Sequence, residues 1–328
     1  MIDSGILDSF REKIVVVTGG TGLIGRQVVG LLCGAGARVT VVSLDQLHVH
    51  PSATHLKGDI TDFAYCREIT QGVDFVFHLA GIKGSIEVSR SKLASHFVPT
   101  LMMNTNMLEA ARLNGVRKLV YTSSIGAYAS ADVFRESDYS VASTPMDFAG
   151  WAKRVAELQI FAYKEQYGME NFAIVRPCNV YGPGDNFDPA SAMVIPSLLS
   201  RIHRGEKPVK IWGDGAAVRD FAFSRDVAEG VILALFHGTK AGFLNLGSGR
   251  GYSIKELVDA MHEVAEFEHE FDVTKPAGAP KRVMDITRAK NEIGYNPTTS
   301  LSDGLKETWT WFLSHQDEYL SKKDYFRG

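Results

Sequence analysis

The chain reads as an α/β protein, a doubly wound parallel sheet followed by a smaller α/β lobe. Three observations predict this. Near-continuous apolar, strand-like runs alternate with helical segments through the first half, the pattern of a parallel sheet covered on both faces. A glycine string joins the first such run to the first helix. Beyond Arg176 the texture changes to short, mixed pieces set apart by a loop dense in Gly, Pro and Asp. Residues 1–177 are therefore assigned to the sheet domain. Residues 178–328 are assigned mainly to the lobe, with some segments returning to the sheet.

Lys13–Thr18 is a short β-branched run and predicts the first strand. A helix follows from Gly22 to about Cys33, with apolar Leu23, Val28, Val29, Leu31 and Leu32. Arg38–Leu44, Thr54–Lys57, Val73–His78 and Arg117–Thr122 predict the next four strands. Val98–Asn114 predicts a helix, with Pro99 near its first turn and Gly115 past its end. Gly150–Tyr167 predicts another, stopped by Gly168, and Asn171–Arg176 returns as a strand. Apolar residues lie on more than one face of these two helices, so the outer face suits a subunit interface or burial under a loop. After the Asn179–Pro189 loop come a helix at 191–204 and a strand-like run at 208–212.

The 328 residues and 36.0 kDa suit about two domains or one large one. Lys+Arg 35 against Asp+Glu 38 leaves a formal charge of -3, with no basic excess for wrapping nucleic acid. Cys33, Cys66 and Cys178 are too few and too scattered for a disulfide framework or a zinc site. Asp3, Asp8 and Glu12 make the N-terminus unlike a signal peptide, and no apolar stretch approaches a membrane span. A cytoplasmic setting without membrane attachment is expected. His48, His50 and His55 cluster on a predicted loop with no carboxylate at ligand spacing, so no metal site is expected.

Thr18-Gly19-Gly20-Thr21-Gly22-Leu23-Ile24-Gly25 stands between a predicted strand and a predicted helix. Glycine permits the tight turn and lets the backbone approach a pyrophosphate with no Cβ in the way. The helix start then offers free N–H groups and a positive dipole end. Asp45 closes the second predicted strand about 20 residues after Gly25, where a carboxylate reaches an adenosine ribose 2′-OH. It would repel a 2′-phosphate, which favours NAD over NADP. Ser43 takes the strand-end place under a slightly different register.

Read in order along the chain, these and later motifs resemble the extended short-chain dehydrogenase/reductases, the NAD-dependent nucleotide-sugar epimerase/dehydratase family. The resemblance runs from Val15 to about Pro297. The glycine string resembles the family's cofactor loop, Gly58-Asp59-Ile60 its adenine-contacting turn, and His78-Leu79-Ala80-Gly81 its fourth-strand motif. Lys83 falls where 4-epimerases carry a lysine near the cofactor, Asn104 matches the following helix's asparagine, and Thr122-Ser123-Ser124 match the strand-five serines. Arg176-Pro177-Cys178-Asn179-Val180-Tyr181-Gly182-Pro183 resembles the crossover into the sugar-binding lobe. Trp212-Gly213-Asp214-Gly215 and Arg219-Asp220-Phe221 resemble the nucleotide clamp.

The resemblance implies a Rossmann-type sheet domain, a substrate-binding lobe, NAD as cofactor and a nucleotide-diphosphate sugar as substrate. It also implies a homodimer through the helices at 98–114 and 150–167. Cofactor contacts are expected from Gly19, Gly22, Leu23, Ile24, Gly25, Asp45, Asp59, Ile60, Leu79, Ala80, Gly81, Lys83, Asn104, Thr122, Lys153, Pro177 and Val180. Substrate contacts are expected from Ser124, Asn179, Ile195, Lys210, Trp212, Arg219 and Arg282, with Trp212 stacking on the base and the two arginines pairing with the diphosphate.

The family's catalytic pair is Y-x-x-x-K on the helix after strand five. Lys153 is present, but the tyrosine position is Ala149. A phenol's ordinary pKa is about 10, and a nearby ammonium lowers it into range for a base, which alanine cannot replace. Ala149 is read as an inactivating substitution of a parent tyrosine, the rival being a natural chain that lacks it. Ile125, Gly126 and Ala127 follow Ser124 where dehydratases and decarboxylases carry an acid. The Asp185–Pro196 segment resembles GDP-fucose synthases, whose 3,5-epimerisation uses a Cys/His pair; those positions here are Gly126 and Met193. The expected reaction is therefore redox at one sugar carbon. A 4-epimerase leads, and a 4-keto-sugar reductase of the GDP-fucose synthase type is the alternative. A catalytically silent NAD-binding sensor or scaffold stands as a reading of another class.

Overall fold

β-Branched and aromatic runs buried on both faces build the main sheet. Its strands in chain order are β1 (Ile14–Thr18), β2 (Arg38–Ser43), β3 (Thr54–Lys57), β4 (Phe75–His78), β5 (Lys118–Thr122), β6 (Phe172–Pro177) and β7 (Phe243–Leu246). The computed structural model describes residues 2–82, 91–188, 191–240 and 242–321. The spatial order is 3-2-1-4-5-6-7, every pairing parallel. Strand β1 pairs with β2 on one side and β4 on the other, so the winding reverses there and opens a crevice above the carboxyl ends of the strands.

Alternation along β1 divides the core in two. Val15 and Val17 join one cluster with Val28, Val29 and Leu32 of the Leu23–Gly34 helix and Val227 and Val231 of the Ser224–His237 helix. Val16 joins the other, with Met103, Met107 and Leu108 of the Leu93–Leu113 helix and Ala156 and Ile160 of the Phe148–Tyr167 helix. A third cluster fills the lobe, among it Ile195, Leu198, Leu199, Leu257, Leu305 and Phe312. The lobe's mixed sheet aligns Gly251–Ser253, Val218–Asp220, Lys281–Met284 and Val133–Phe134, the last contributed by the first half of the chain. Strand β7 goes the other way, from the second half back to the edge of the main sheet beside β6.

Three local expectations are corrected. The helix expected at 98–114 begins at Leu93 and carries Pro99 inside it. The His96 ring anchors the added turn from outside, pairing with the Ile82 carbonyl at 2.7 Å, and within the helix the Thr100 hydroxyl donates to the His96 carbonyl at 2.7 Å. Strand β2 ends at Ser43, so Asp45 stands two residues beyond the strand rather than closing it. The helix expected at 191–204 spans Val194–His203.

Candidate active site

The crevice begins at the glycine string. Gly19 has φ +68°, and a Cβ there would lie 2.8 Å from the Ala80 Cα; a Cβ on Gly25 would lie 2.2 Å from the Gly19 carbonyl oxygen. Only glycine lets the loop close this tightly. The helix after it starts at Gly22 with no side chain capping its first turn, which leaves N–H donors and the dipole's positive end facing the crevice. Leu23 and Ile24 supply that first turn. A dinucleotide pyrophosphate fits here on two counts, the cradle a Cβ would fill and the uncapped helix start.

Beside the glycine string the Thr21 hydroxyl donates to the Asp45 carboxylate at 3.0 Å and lies 2.8 Å from the Ser43 hydroxyl. Asp45 also accepts the Leu47 N–H at 3.2 Å. Asp59 is exposed and holds its own turn by accepting the Thr61 N–H, while the Ile60 side chain is buried in the core, leaving its backbone toward the turn. Lys83 lies outside the described residues.

Toward the other end, a buried chain of hydrogen bonds runs under the crevice. The Ala80 N–H donates to Thr18 Oγ1 at 3.3 Å, and Thr18 pairs with His78 Nδ1 at 2.8 Å. His78 Nε2 meets Asn104 Oδ1 at 3.1 Å, and the Asn104 amide donates to the Tyr121 hydroxyl at 2.9 Å. Burial and the Lys153 ammonium push His78 down to about 3, so the ring is neutral and donates from Nε2 alone. Lys153 caps the arrangement. Its ammonium donates to the Thr122 carbonyl at 2.8 Å, lies 5.2 Å from the centre of the Tyr121 ring, and flanks Gly81. Burial pulls it down to about 8, with Glu157 opposing. The Thr122 hydroxyl is buried without a hydrogen-bond partner among the described residues.

The Phe148–Tyr167 helix brings Lys153 to this point because its start is pressed against the turn after β5. A Cβ on Gly150 would lie 2.0 Å from the Gly126 carbonyl oxygen, and Asp147 caps the Gly150 N–H at 2.7 Å. Ser124 accepts the Gly126 N–H at 3.1 Å in the same turn. Ala149, half-buried, stands in the first turn of this helix one turn before Lys153. Beneath it, Ser123 donates to Glu157 at 2.5 Å, and Glu157 forms a fully buried bidentate pair with Arg176.

The lobe residues divide. Arg219 and Arg282 are register partners on adjacent parallel strands, and so share a face. Arg219 is committed to the carbonyls of Val218, Ala277 and Ala279, whereas Arg282 Nε is buried without a partner among the described residues. The Asn179 amide is spent on the Asp220 carbonyl at 3.0 Å. Lys210 and Trp212 lie on the exposed side of the Val209–Trp212 strand, Trp212 at 56% exposure. Ile195, expected at the substrate, is instead 1% exposed and packs in the lobe's core, because its helix turns that face inward. Pro177 and Val180 flank the crossover, paired with Leu246 and Ala222.

Sequence reasoning placed Thr18, Thr21 and Arg176 inside motifs without giving them a role, and missed Tyr121 and Glu157. Their signal is weak, since each is an ordinary strand, loop or helix residue until the fold pairs it.

A model of the NAD dependent epimerase/dehydratase family matches residues 15–247. A probable GDP-L-fucose synthase of Oryza sativa subsp. japonica is 30% identical, covering 92% of each chain. A dTDP-4-dehydro-6-deoxy-D-allose reductase of a Streptomyces species is 30% identical over 94% of this chain and 99% of that one. The crystal structure of UDP-glucose 4-epimerase from Thermotoga maritima, with UDP-glucose, is 28% identical. It covers 92% of this chain and 99% of that one, with a TM-score of 0.79.

Proposed function

Because the chain belongs to the NAD dependent epimerase/dehydratase family, whose cofactor is NAD, we propose that it is built for redox at one carbon of a nucleotide-diphosphate sugar. The leading reading is a 4-epimerase, in which a 4-keto sugar is formed and then reduced on its other face. The observation that carries it is Lys153, held at the Thr122 carbonyl and flanking Gly81, with a lowered pKa. NAD, when bound, accepts and returns the hydride.

In this reading the chain's own groups do the rest. Ser124 orients the reacting hydroxyl. Lys153 holds the nicotinamide ribose and supplies positive charge that would stabilise a neighbouring phenolate. Arg282, whose Nε has no partner among the described residues, takes the diphosphate, and Trp212 offers an exposed ring to the base. Arg219 shapes the clamp by fixing the 277–279 loop. Ala149 has no acid or base, so the chain is expected to bind both ligands and move the proton slowly. A second reading, reduction of a 4-keto sugar, is favoured by the named activities of the two curated relatives.

Leu93–Leu113 and Phe148–Tyr167 leave Val98, Met102, Phe148, Trp151 and Leu158 exposed, which supports pairing of two copies through these helices. No helix among the described residues is long and apolar enough to cross a membrane. Free Cys33, Cys66 and Cys178 suit a reducing, cytoplasmic compartment.

Restoring the phenol by Ala149→Tyr and incubating with NAD and a panel of nucleotide sugars tests the reading, products being followed by NMR. Interconversion of one sugar pair by the revertant alone supports the epimerase. Turnover only with NADH and a 4-keto sugar moves the assignment to the reductase. NAD binding without turnover in either arm rejects both and leaves a binding module.

A further inference from the structure

Asp45 does not sit where a strand would aim it. Strand β2 ends at Ser43, and the carboxylate stands two residues farther on, in a turn closed by the Leu47 N–H. A carboxylate on a turn can rotate away from the crevice. Beyond its own turn, where the Leu47 N–H donates to Oδ1 at 3.2 Å, the carboxylate is tied to the glycine loop by the hydroxyl of Thr21, 3.0 Å from Asp45 Oδ2. Thr21 is 3% exposed, and its hydroxyl has a single proton. Since that proton goes to Asp45, the contact with Ser43 at 2.8 Å runs from the Ser43 hydroxyl to Thr21. The relay Ser43 to Thr21 to Asp45 spends the Thr21 proton on the carboxylate and the Ser43 proton on the Thr21 oxygen. Without Asp45 the Thr21 proton would be free to donate, which suits a phosphate rather than a ribose.

We propose that Thr21 and Ser43 are positioning residues that hold Asp45 toward the adenosine ribose and so set the choice of NAD over NADP. The inference rests on Asp45 facing that ribose. Anchored by the loop that cradles the pyrophosphate, the carboxylate keeps its place relative to the cofactor, accepts from a 2′-OH and repels a 2′-phosphate. The strand's early end thus carries no loss of discrimination, because a loop residue supplies the aim that the strand does not.

The test is binding of NAD and NADP, each by calorimetric titration, to the full chain and to Thr21→Val, Thr21→Ser, Ser43→Ala and Asp45→Asn. Losing one hydrogen bond to a carboxylate is expected to lower the NAD:NADP affinity ratio about tenfold in Thr21→Val. Thr21→Ser restores the ratio, and Ser43→Ala lowers it less. Thr21→Ala removes the hydroxyl without added bulk and gives the same reading if the valine chain does not fold. A purely structural role would weaken both dinucleotides equally, and an unchanged ratio in the Thr21 variants overturns the proposal. If Asp45→Asn also leaves the ratio unchanged, the placement of Asp45 at the ribose falls with it. If Asp45→Asn alone changes it, the carboxylate acts without its tether.

Discussion

Replacing Glu157 by glutamine strips the counter-charge from the guanidiniums packed beneath the site. Arg176 meets Glu157 through two bonds, 2.8 Å from Nε and 2.5 Å from Nη2, and both side chains are 0% exposed. Arg154 stands 3.9 Å from the same carboxylate at 2% exposure, and Ser123 donates to it at 2.5 Å. Glutamine keeps the shape and loses the charge. Breaking a buried pair by removing one partner costs about 3–5 kcal/mol, because the remaining charge stays out of water. Unfolding entropy for a chain of this length is about 0.7 kcal/mol/K, so the midpoint is expected to fall by about 4–7 °C. Scanning calorimetry at neutral pH measures it. The Arg38–Glu12 pair is an internal control: it is as short, 2.5 Å, but its side chains are 69% and 68% exposed. Exposed pairs contribute about 0–1 kcal/mol, so Glu12→Gln is expected to shift the midpoint by less than about 2 °C. Equal shifts in the two variants, or none in Glu157→Gln, would refute the argument that burial sets the magnitude.

Gly25→Ala is expected to abolish measurable NAD binding, since its Cβ would lie 2.2 Å from the Gly19 carbonyl oxygen; titration with parent-like affinity would contradict the cradle. His78 sits at about 3 in the folded chain, pushed down by burial and by Lys153, against about 6.5 unfolded. The unfolded state therefore binds the extra proton between those values, so stability falls as pH drops from about 6.5 toward 3. His78→Gln is expected to flatten that acid limb, and equal slopes in denaturant titrations at several pH values would count against it. Trp151→Glu places a charge on the exposed apolar helix face and is expected to turn a dimer into a monomer by light scattering; an unchanged mass speaks for a different interface.

The sequence by itself determined the parallel sheet, the glycine-rich turn and Lys153 at its helical spacing from position 149. Those features are local: a strand's apolar run, a loop's glycines and a helix's periodicity are written in consecutive residues. The helix start at Leu93 lay outside such rules, because Pro99 signals a first turn until the contact of His96 with the Ile82 carbonyl holds one more. Ile195 has the residue type and motif position of a substrate contact, yet which way its helix faces is decided by the lobe's core. The pairing of Thr21 with Asp45, of His78 with Asn104 and of Glu157 with Arg176 was decided only by the tertiary structure. Each joins residues from separate elements, 24, 26 and 19 positions apart. Sheet order and helix packing bring them within hydrogen-bond range, and burial then gives each contact its strength.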